Sequence, residues 1–346
     1  MKFGIWDHID RSGLAIGEQL NGRLALAEEY ERAGFYAYHV AEHHGTPFGL
    51  APSPGIMLSA IAQRTSTLRF GPLVYLLPLY HPLRLYEEIC MLDQLSGGRL
   101  DLGIGRGISP HELRLYGLDP QEAPDRFRET LEILMEAFRS DTLSYEGKYF
   151  KFKNVPLHLK PVQTPHPPIW YGALTPDTAD WTARRGMNLV CGNGPSTEIR
   201  AVTDHYRSVH RAHLTSVTGE PLLGMQRQLV IAETDAEAQQ IARRSFRVFR
   251  DNFTWLWKHH GDPLAEKLLP EDFGDVERHG EALAGSPATV RRVLAEQARD
   301  AGVNYIVCRF AFGDLSLAEI TRSVRLFSAE VMPALRELPE PDSRAT

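Results

Sequence analysis

Eight short apolar runs, each followed by a longer stretch of helical period, set the main constraint on what this chain can fold into. Runs rich in β-branched and aromatic residues that alternate with helices are the pattern of repeated βα units around a parallel sheet. The strand candidates are KFGIW at 2 to 6, FYAYHVAEH at 35 to 43, LRFGPLVYLL at 68 to 77, and RLDLGIG at 99 to 105. PPIWYGA at 167 to 173, MNLVCG at 187 to 192, LLGMQRQLVIA at 222 to 232, and NYIVCRFAF at 304 to 312 complete the set. Helical stretches fall at 16 to 33, 54 to 64, 82 to 95, 124 to 139, 176 to 185, 196 to 213, 235 to 248 and 287 to 301, and 317 to 336 closes the chain.

Eight strands with a helix after each predict an α/β fold, a closed TIM (β/α)8 barrel with insertions. The 346 residues suit one such barrel, because barrels routinely run to about 250 residues or more. An open doubly wound sheet is the alternative. It calls for a Gly-rich dinucleotide turn after the first strand, and WDHIDRSG contains no G-x-G-x-x-G. Two segments break the rhythm: 141 to 166, whose Tyr, Phe and Pro suggest a hairpin and strap, and 249 to 284. Neither reads as an independent domain, so 1 to 337 is expected to be a single barrel domain. The polar, Pro-rich tail at 338 to 346 is expected to be loosely ordered.

Hydrophobic residues at 43% and charged residues at 24% are the usual balance for a globular chain with a substantial core. A net charge of -6 without any Lys/Arg run argues against a nucleic-acid partner. Met1 leads straight into a strand-like segment, and no apolar run reaches the roughly 18 residues of a membrane span, so a cytoplasmic protein is expected. Cys90, Cys191 and Cys308 are scattered, with no metal-ligand spacing, and read as buried free thiols.

Barrel chemistry takes place in the loops at the C-terminal strand ends. After the second strand, AEHHGTPFG sets Glu42, His43 and His44 in a row, and alternation lets at most one histidine face the barrel mouth. A histidine there suits a general base or hydrogen-bond donor; the pair equally suits a structural role. After the third strand, His81 precedes Pro82, which is preorganised to open a helix. Glu87 and Glu88 sit near the positive end of that helix, where a carboxylate is favoured without any functional reason. After the fourth strand, GIGRGIS places Arg106 among Gly103, Gly105 and Gly107, a loop that can admit an anion to the backbone and grip phosphate. The same glycines also suit a plain tight turn. After the fifth strand, Thr175, Pro176, Asp177 and Thr178 read as a helix start, explained by capping as well as by phosphate binding.

Taken in order and spacing, AEHHGTPFG at 41 to 49, LLPLYHPLRLYEEICMLDQLSGGRLDLGIGRG at 76 to 107, and PPIWYGALTPDTADWTARRG at 167 to 186 resemble the bacterial luciferase-like flavin monooxygenases. GDLSLAEITRSVRLFSAEVMPAL at 313 to 335 is similar to that family's C-terminal helix. The resemblance implies a TIM barrel that uses FMN, bound or delivered in reduced form by a separate flavin reductase. With O2 the family forms a flavin 4a-hydroperoxide that oxygenates aldehydes, ketones or related small molecules. It further implies His43 as the catalytic histidine and His44, His81 and Glu87 as supporting active-site positions. Arg106 with Gly107 matches one half of the phosphate site, and Ala173, Leu174, Thr175 and Thr178 match the other. A non-proline cis peptide is implied at Leu73 and Val74, under the flavin ring.

Luciferase proper has a reactive cysteine just before the arginine, where this chain has Gly105, which points away from light emission. Luciferase also pairs two different subunits; with no sign of a second chain, a homodimer is the simpler expectation. DNFTWLWKHHG at 251 to 261 suits an apolar pocket wall, or a helical insertion packed on the barrel. A dehydrogenase or reductase of the same fold, using deazaflavin or flavin without oxygen, is the nearest rival, because fold alone does not separate the two. A non-catalytic flavin-binding subunit is the rival from a different class.

Overall fold

Helix starts follow local chemistry along the chain: Thr175, Thr234, Ser286 and Ser316 each cap a helix by accepting a backbone N–H three residues on. The structure, a computed structural model, describes residues 1–173, 175–192, 194–213 and 220–339. In order come β1 (Lys2–Asp7), α1 (Ile16–Arg32), β2 (Ala37–Val40), α2 (Pro54–Arg64), β3 (Arg69–Pro72), β4 (Tyr75–Leu76), α3 (Pro82–Ser96), β5 (Leu102–Gly105), α4 (Pro110–Leu115) and α5 (Ala123–Arg139). Then follow β6 (Thr142–Glu146), β7 (Lys151–Pro156), β8 (Ile169–Gly172), α6 (Pro176–Ala183), β9 (Asn188–Cys191), α7 (Ser196–His213), β10 (Leu223–Ile231) and α8 (Asp235–His259). The last are α9 (Phe273–Arg278), β11 (Ala282–Gly285), α10 (Pro287–Ala301), β12 (Tyr305–Arg309), α11 (Leu317–Leu326) and α12 (Met332–Arg336).

The barrel strands are all parallel and run β3-β2-β1-β12-β10-β9-β8-β5-β4. Because β3 and β4 are consecutive pieces of one stave, that order closes on itself into eight staves. β4 pairs with β5 at Tyr75↔Ile104, and the other half of the seam is bridged at Phe70↔Leu100. The break between β3 and β4 is the Leu73–Val74 peptide, which is cis. Glycine permits the seam to close: a Cβ on Gly71 would overlap the Asp101 carbonyl oxygen, and one on Gly103 would overlap that of Pro72.

Every strand candidate is a strand. Two features of 249 to 284 differ from the sequence reading. The helix begun at Asp235 runs on to His259 instead of stopping near 248, and β11 adds a strand against Gln228–Ile231 of β10. The 141 to 166 segment does hold an antiparallel hairpin, β6 with β7. Of the tail, residues from 340 on lie outside the described residues. All three cysteines are buried, and among the described residues no helix is long and apolar enough to cross a membrane.

The barrel interior is filled by Trp170, Tyr305 and His39. The His39 ring meets Trp170 edge-on at 5.3 Å, and its Nε2 lies 2.9 Å from the Tyr305 hydroxyl. Burial lowers the His39 pKa to about 3. The imidazole therefore stays neutral in the fold over a range where the unfolded chain protonates it. Because the unfolded state binds the extra proton, stability falls as pH drops below 6.5.

Two predictions follow from this packing. Gly71→Ala should cost about 3 kcal/mol in urea unfolding, whereas Gly22→Ala, in α1 where a Cβ meets nothing within 4 Å, should gain up to about 1 kcal/mol. Between pH 6.5 and 4 the wild type should lose about 1.4 kcal/mol per pH unit relative to His39→Gln. Parallel pH profiles of the two proteins would contradict a buried, neutral His39.

Candidate active site

All eight staves open at their C-terminal ends onto one cavity of about 390 Å³, on the scale of the clefts that hold cofactors. Its floor is Leu73, Val74 and Ile104. The chain leaves β2 at Val40, and in the irregular stretch that follows Glu42 and His43 line the cavity while His44 is buried outside it.

His43 is held on three sides. Its Nδ1 lies 3.0 Å from Glu112 Oε1, and the other oxygen of that carboxylate accepts the His44 backbone N–H at 3.2 Å. His8 stacks on the imidazole with centroids 5.4 Å apart and planes at 17°, and Phe48 packs at 4.6 Å. With Nδ1–H donating to Glu112, Nε2 is the nitrogen left for chemistry. His8 is itself fully buried between Arg309 and His43, and burial pushes its pKa well below the ordinary value. It therefore stays neutral and adds no charge beside His43.

His44 serves the same corner differently. The Tyr116 hydroxyl donates to its Nδ1 at 2.8 Å, and its Nε2 donates to Glu42 Oε1 at 2.7 Å. Glu42 Oε2 in turn accepts the Leu76 N–H at 2.9 Å, which ties the end of β2 to β4. Burial raises the Glu42 pKa, and the bonds from His44 and Leu76 oppose the rise. The Leu73 carbonyl, on the cis peptide, accepts the Trp6 indole N–H at 2.8 Å.

After β5, Arg106 stands exposed on the cavity wall, beside Gly107 at φ 86°. Tyr171 hydrogen-bonds Arg106, and burial raises the Tyr171 pKa against that charge. A Cβ on Gly105 would overlap the Val74 side chain, so the Gly-rich loop is required by the floor it crosses. Ala173 lines the cavity. Thr175 and Thr178 lie just beyond, at the N-terminus of α6, with hydroxyls 3.0 Å apart. Leu174 lies outside the described residues.

His81 and Glu87 do not join this group. His81 is exposed at the start of α3, edge-on to Phe150 and Phe152 of the hairpin. Glu87 faces outward, and its neighbour Glu88 turns inward to accept the Tyr75 hydroxyl at 2.7 Å. The sequence reading passed over Trp6, His8, Glu112 and Arg309, all of which line the cavity. His8 and Arg309 follow or end a strand, so the strand-end rule applied to β1 and β12 would have found them. Glu112 sits on a six-residue helix with no periodic signal. Phe246, Phe249 and Phe253 of α8 form the apolar wall together with Leu269 and Val276. Within 251 to 261, Phe253 reaches the cavity, Trp255 is exposed, and Trp257 packs on His111 at 5.0 Å. Among the described residues no cluster of His, Cys, Asp and Glu could hold a metal ion.

Residues 1–305 match the family model described as luciferase-like monooxygenase. An uncharacterized protein of Sinorhizobium fredii, y4wF, is 45% identical over 96% of this chain and 96% of its own. The oxygenase component of the flavin-dependent trigonelline monooxygenase of Acinetobacter baylyi is 27% identical, covering 81% of this chain and 78% of its own. Among solved structures, the monooxygenase RslO1 of Streptomyces bottropensis superposes with a TM-score of 0.86 at 26% identity, over 96% of this chain and 99% of that one.

The Tyr116–His44–Glu42 chain makes a graded prediction in urea unfolding. Tyr116→Phe should cost about 1 kcal/mol, one hydrogen bond. Glu42→Ala, which strands both the His44 ring and the Leu76 N–H, should cost about 3 kcal/mol or more. Equal, small losses would show that the chain does not brace the corner.

Proposed function

This chain belongs to the luciferase-like monooxygenases, a family of flavin-dependent oxygenases, and on that premise we propose that it uses reduced FMN and O2 to oxygenate a small organic molecule. The observation that carries the reading is the lining of one cavity. Arg106, able to grip an anion, and an imidazole–carboxylate pair at His43 and Glu112 line the same cavity, together with Leu73 and Val74.

The cavity fits FMN in its chemistry. Arg106 and Gly107, with Ala173, Thr175 and Thr178 at the N-terminus of α6, would hold the phosphate through a guanidinium fork and backbone N–H groups. Leu73 and Val74 would lie under the ring. When bound in reduced form, FMN supplies the electrons that let O2 give one oxygen atom to the substrate and the other to water. A separate flavin reductase would deliver it, as the term oxygenase component suggests for the trigonelline enzyme.

The chain's own residues do the rest. Glu112 fixes the His43 ring and its tautomer, so Nε2 can accept or return a proton at the reacting centre. His8 and Phe48 keep that ring from turning. The Phe246, Phe249 and Phe253 wall excludes water, which would otherwise divert the oxidising equivalents. His44 acts through Glu42 and the backbone, as a positioning residue.

Stopped-flow mixing of the full chain and reduced FMN with aerated buffer tests the reading. The wild type should hold flavin reoxidation at least about tenfold slower than free FMN and release less hydrogen peroxide. His43→Ala should lose most of that protection, or about 10² in turnover once a substrate is known, with FMN affinity nearly unchanged. Glu112→Gln should fall between the two. Free-flavin kinetics with the wild-type protein would refute the proposal.

A further inference from the structure

Arg309 ends β12 with its side chain turned into the cavity, only 7% exposed. Its guanidinium is sandwiched between two rings, with its central carbon 5.0 Å from the Trp6 centroid and 5.1 Å from that of Phe249. Two aromatic neighbours cover the cation without accepting a hydrogen bond from its edges, so its N–H groups must find partners elsewhere. Among the described residues Nε has none, and the shortest polar contact is Nη2 to His8 Nε2 at 3.5 Å. No carboxylate there comes within 4.0 Å of the group.

The nearby acids are committed elsewhere. Asp7 is taken by Arg23 at 3.0 Å, the Tyr38 hydroxyl at 2.9 Å and the Ile9 N–H at 2.7 Å. Asp10 accepts from Asn252 at 3.1 Å and the Gly313 N–H at 2.8 Å. Glu42 and Glu112 serve the two histidines, and Asp10, Asp7 and Glu281 act on Arg309 only at a distance. Burial lowers the Arg309 pKa to about 10, so the group remains a cation at neutral pH. A buried cation without a contact anion is costly. It is tolerated where a ligand completes it.

We propose that Arg309 is the substrate-recognition residue and that the substrate is an organic carboxylate, held by its carboxyl group at the Arg309 edge with its apolar body against Phe48, Phe249 and Phe253. The assignment rests on the flavin reading for its chemistry, and on Arg309 for its charge. His8 lies between Arg309 and His43, 3.5 Å from the first and stacked on the second. A carboxylate gripped by Arg309 therefore keeps its carbon skeleton beside the reacting end of the cavity, far from the Arg106 loop on β5. The aromatic wall gives that skeleton an apolar bed, and the guanidinium fork matches a carboxylate through two parallel hydrogen bonds.

Calorimetric titration of the flavin-free full chain with benzoate and with its neutral isostere benzamide tests this directly. The wild type should prefer benzoate by at least about tenfold. Arg309→Met should bring the two within about twofold while benzamide affinity stays put, and Arg309→Lys should keep a reduced preference for benzoate. Should Arg309→Met fail to fold, the wild-type pair and Arg309→Lys decide alone. Equal affinities in the wild type, no benzoate binding at 10 mM, or a preference that survives Arg309→Met each overturn the assignment. FMN is titrated separately. Normal FMN binding without carboxylate preference sinks this assignment only, whereas carboxylate preference without FMN binding sinks only the flavin reading.

Discussion

Glu42 is the residue on which the active corner depends. Its two oxygens bind the His44 ring and the Leu76 N–H, and so lock the end of β2 to the stave that carries Leu73 and Val74. With His44 buried outside the cavity, His43 is left on the cavity side. Glu112 then reaches from α4 to bind both the His43 ring and the His44 N–H, which sets the position of that imidazole from two directions. A carboxylate buried this deeply would be expensive without those bonds. Fully bonded, it rigidifies the corner.

Charge in the cavity is arranged with little slack. His8 is kept neutral by burial, and Asp10 is pushed up to about 6 by burial despite its bonds to Asn252 and Gly313. Asp7 is paired with Arg23. Asp7 and Asp10 take their partners from the protein, Asp7 from Arg23 and Tyr38 and Asp10 from Asn252 and Gly313. Arg309 and Arg106 differ in kind. One is buried and stacked, the other exposed on a glycine loop, and they stand on staves at different sides of the barrel. Two cations at separate places suit the two anions proposed above, the phosphate of the cofactor and the carboxylate of the substrate.

Much of this was legible in the sequence, and for identifiable reasons. Parallel barrel strands are buried on both faces, so they read as apolar runs, and caps such as Thr175 and Ser286 mark helix starts within a residue or two. The strand-end rule led to His43 and Arg106, both of which line the cavity. It was silent on Glu112, because a long-range carboxylate on a short helix leaves no local pattern. It was not applied to β1 or β12, and so His8 and Arg309 went unread. Family resemblance set His81 and Glu87 beside the reacting group, yet the turn into α3 carries both away from the cavity. The end of α8 was missed because Asn252, Thr254 and the aromatic residues around them are weak helix formers. Packing of Phe249 and Phe253, and the bond from Asn252 to Asp10, override that propensity. β11 is four residues, ALAG, three of them small, whose strand character comes from pairing with β10.

On the proposed function, one end of the barrel cavity grips the phosphate of FMN. Anaerobic equilibrium titration of the full chain with reduced FMN, reduced riboflavin and a reduced deazaflavin cofactor tests it most directly. FMN should bind at least about tenfold more tightly than riboflavin, the difference being the phosphate at Arg106 and the α6 N-terminus, and the deazaflavin more weakly than FMN. Equal binding of FMN and riboflavin, or tightest binding of the deazaflavin, would contradict it.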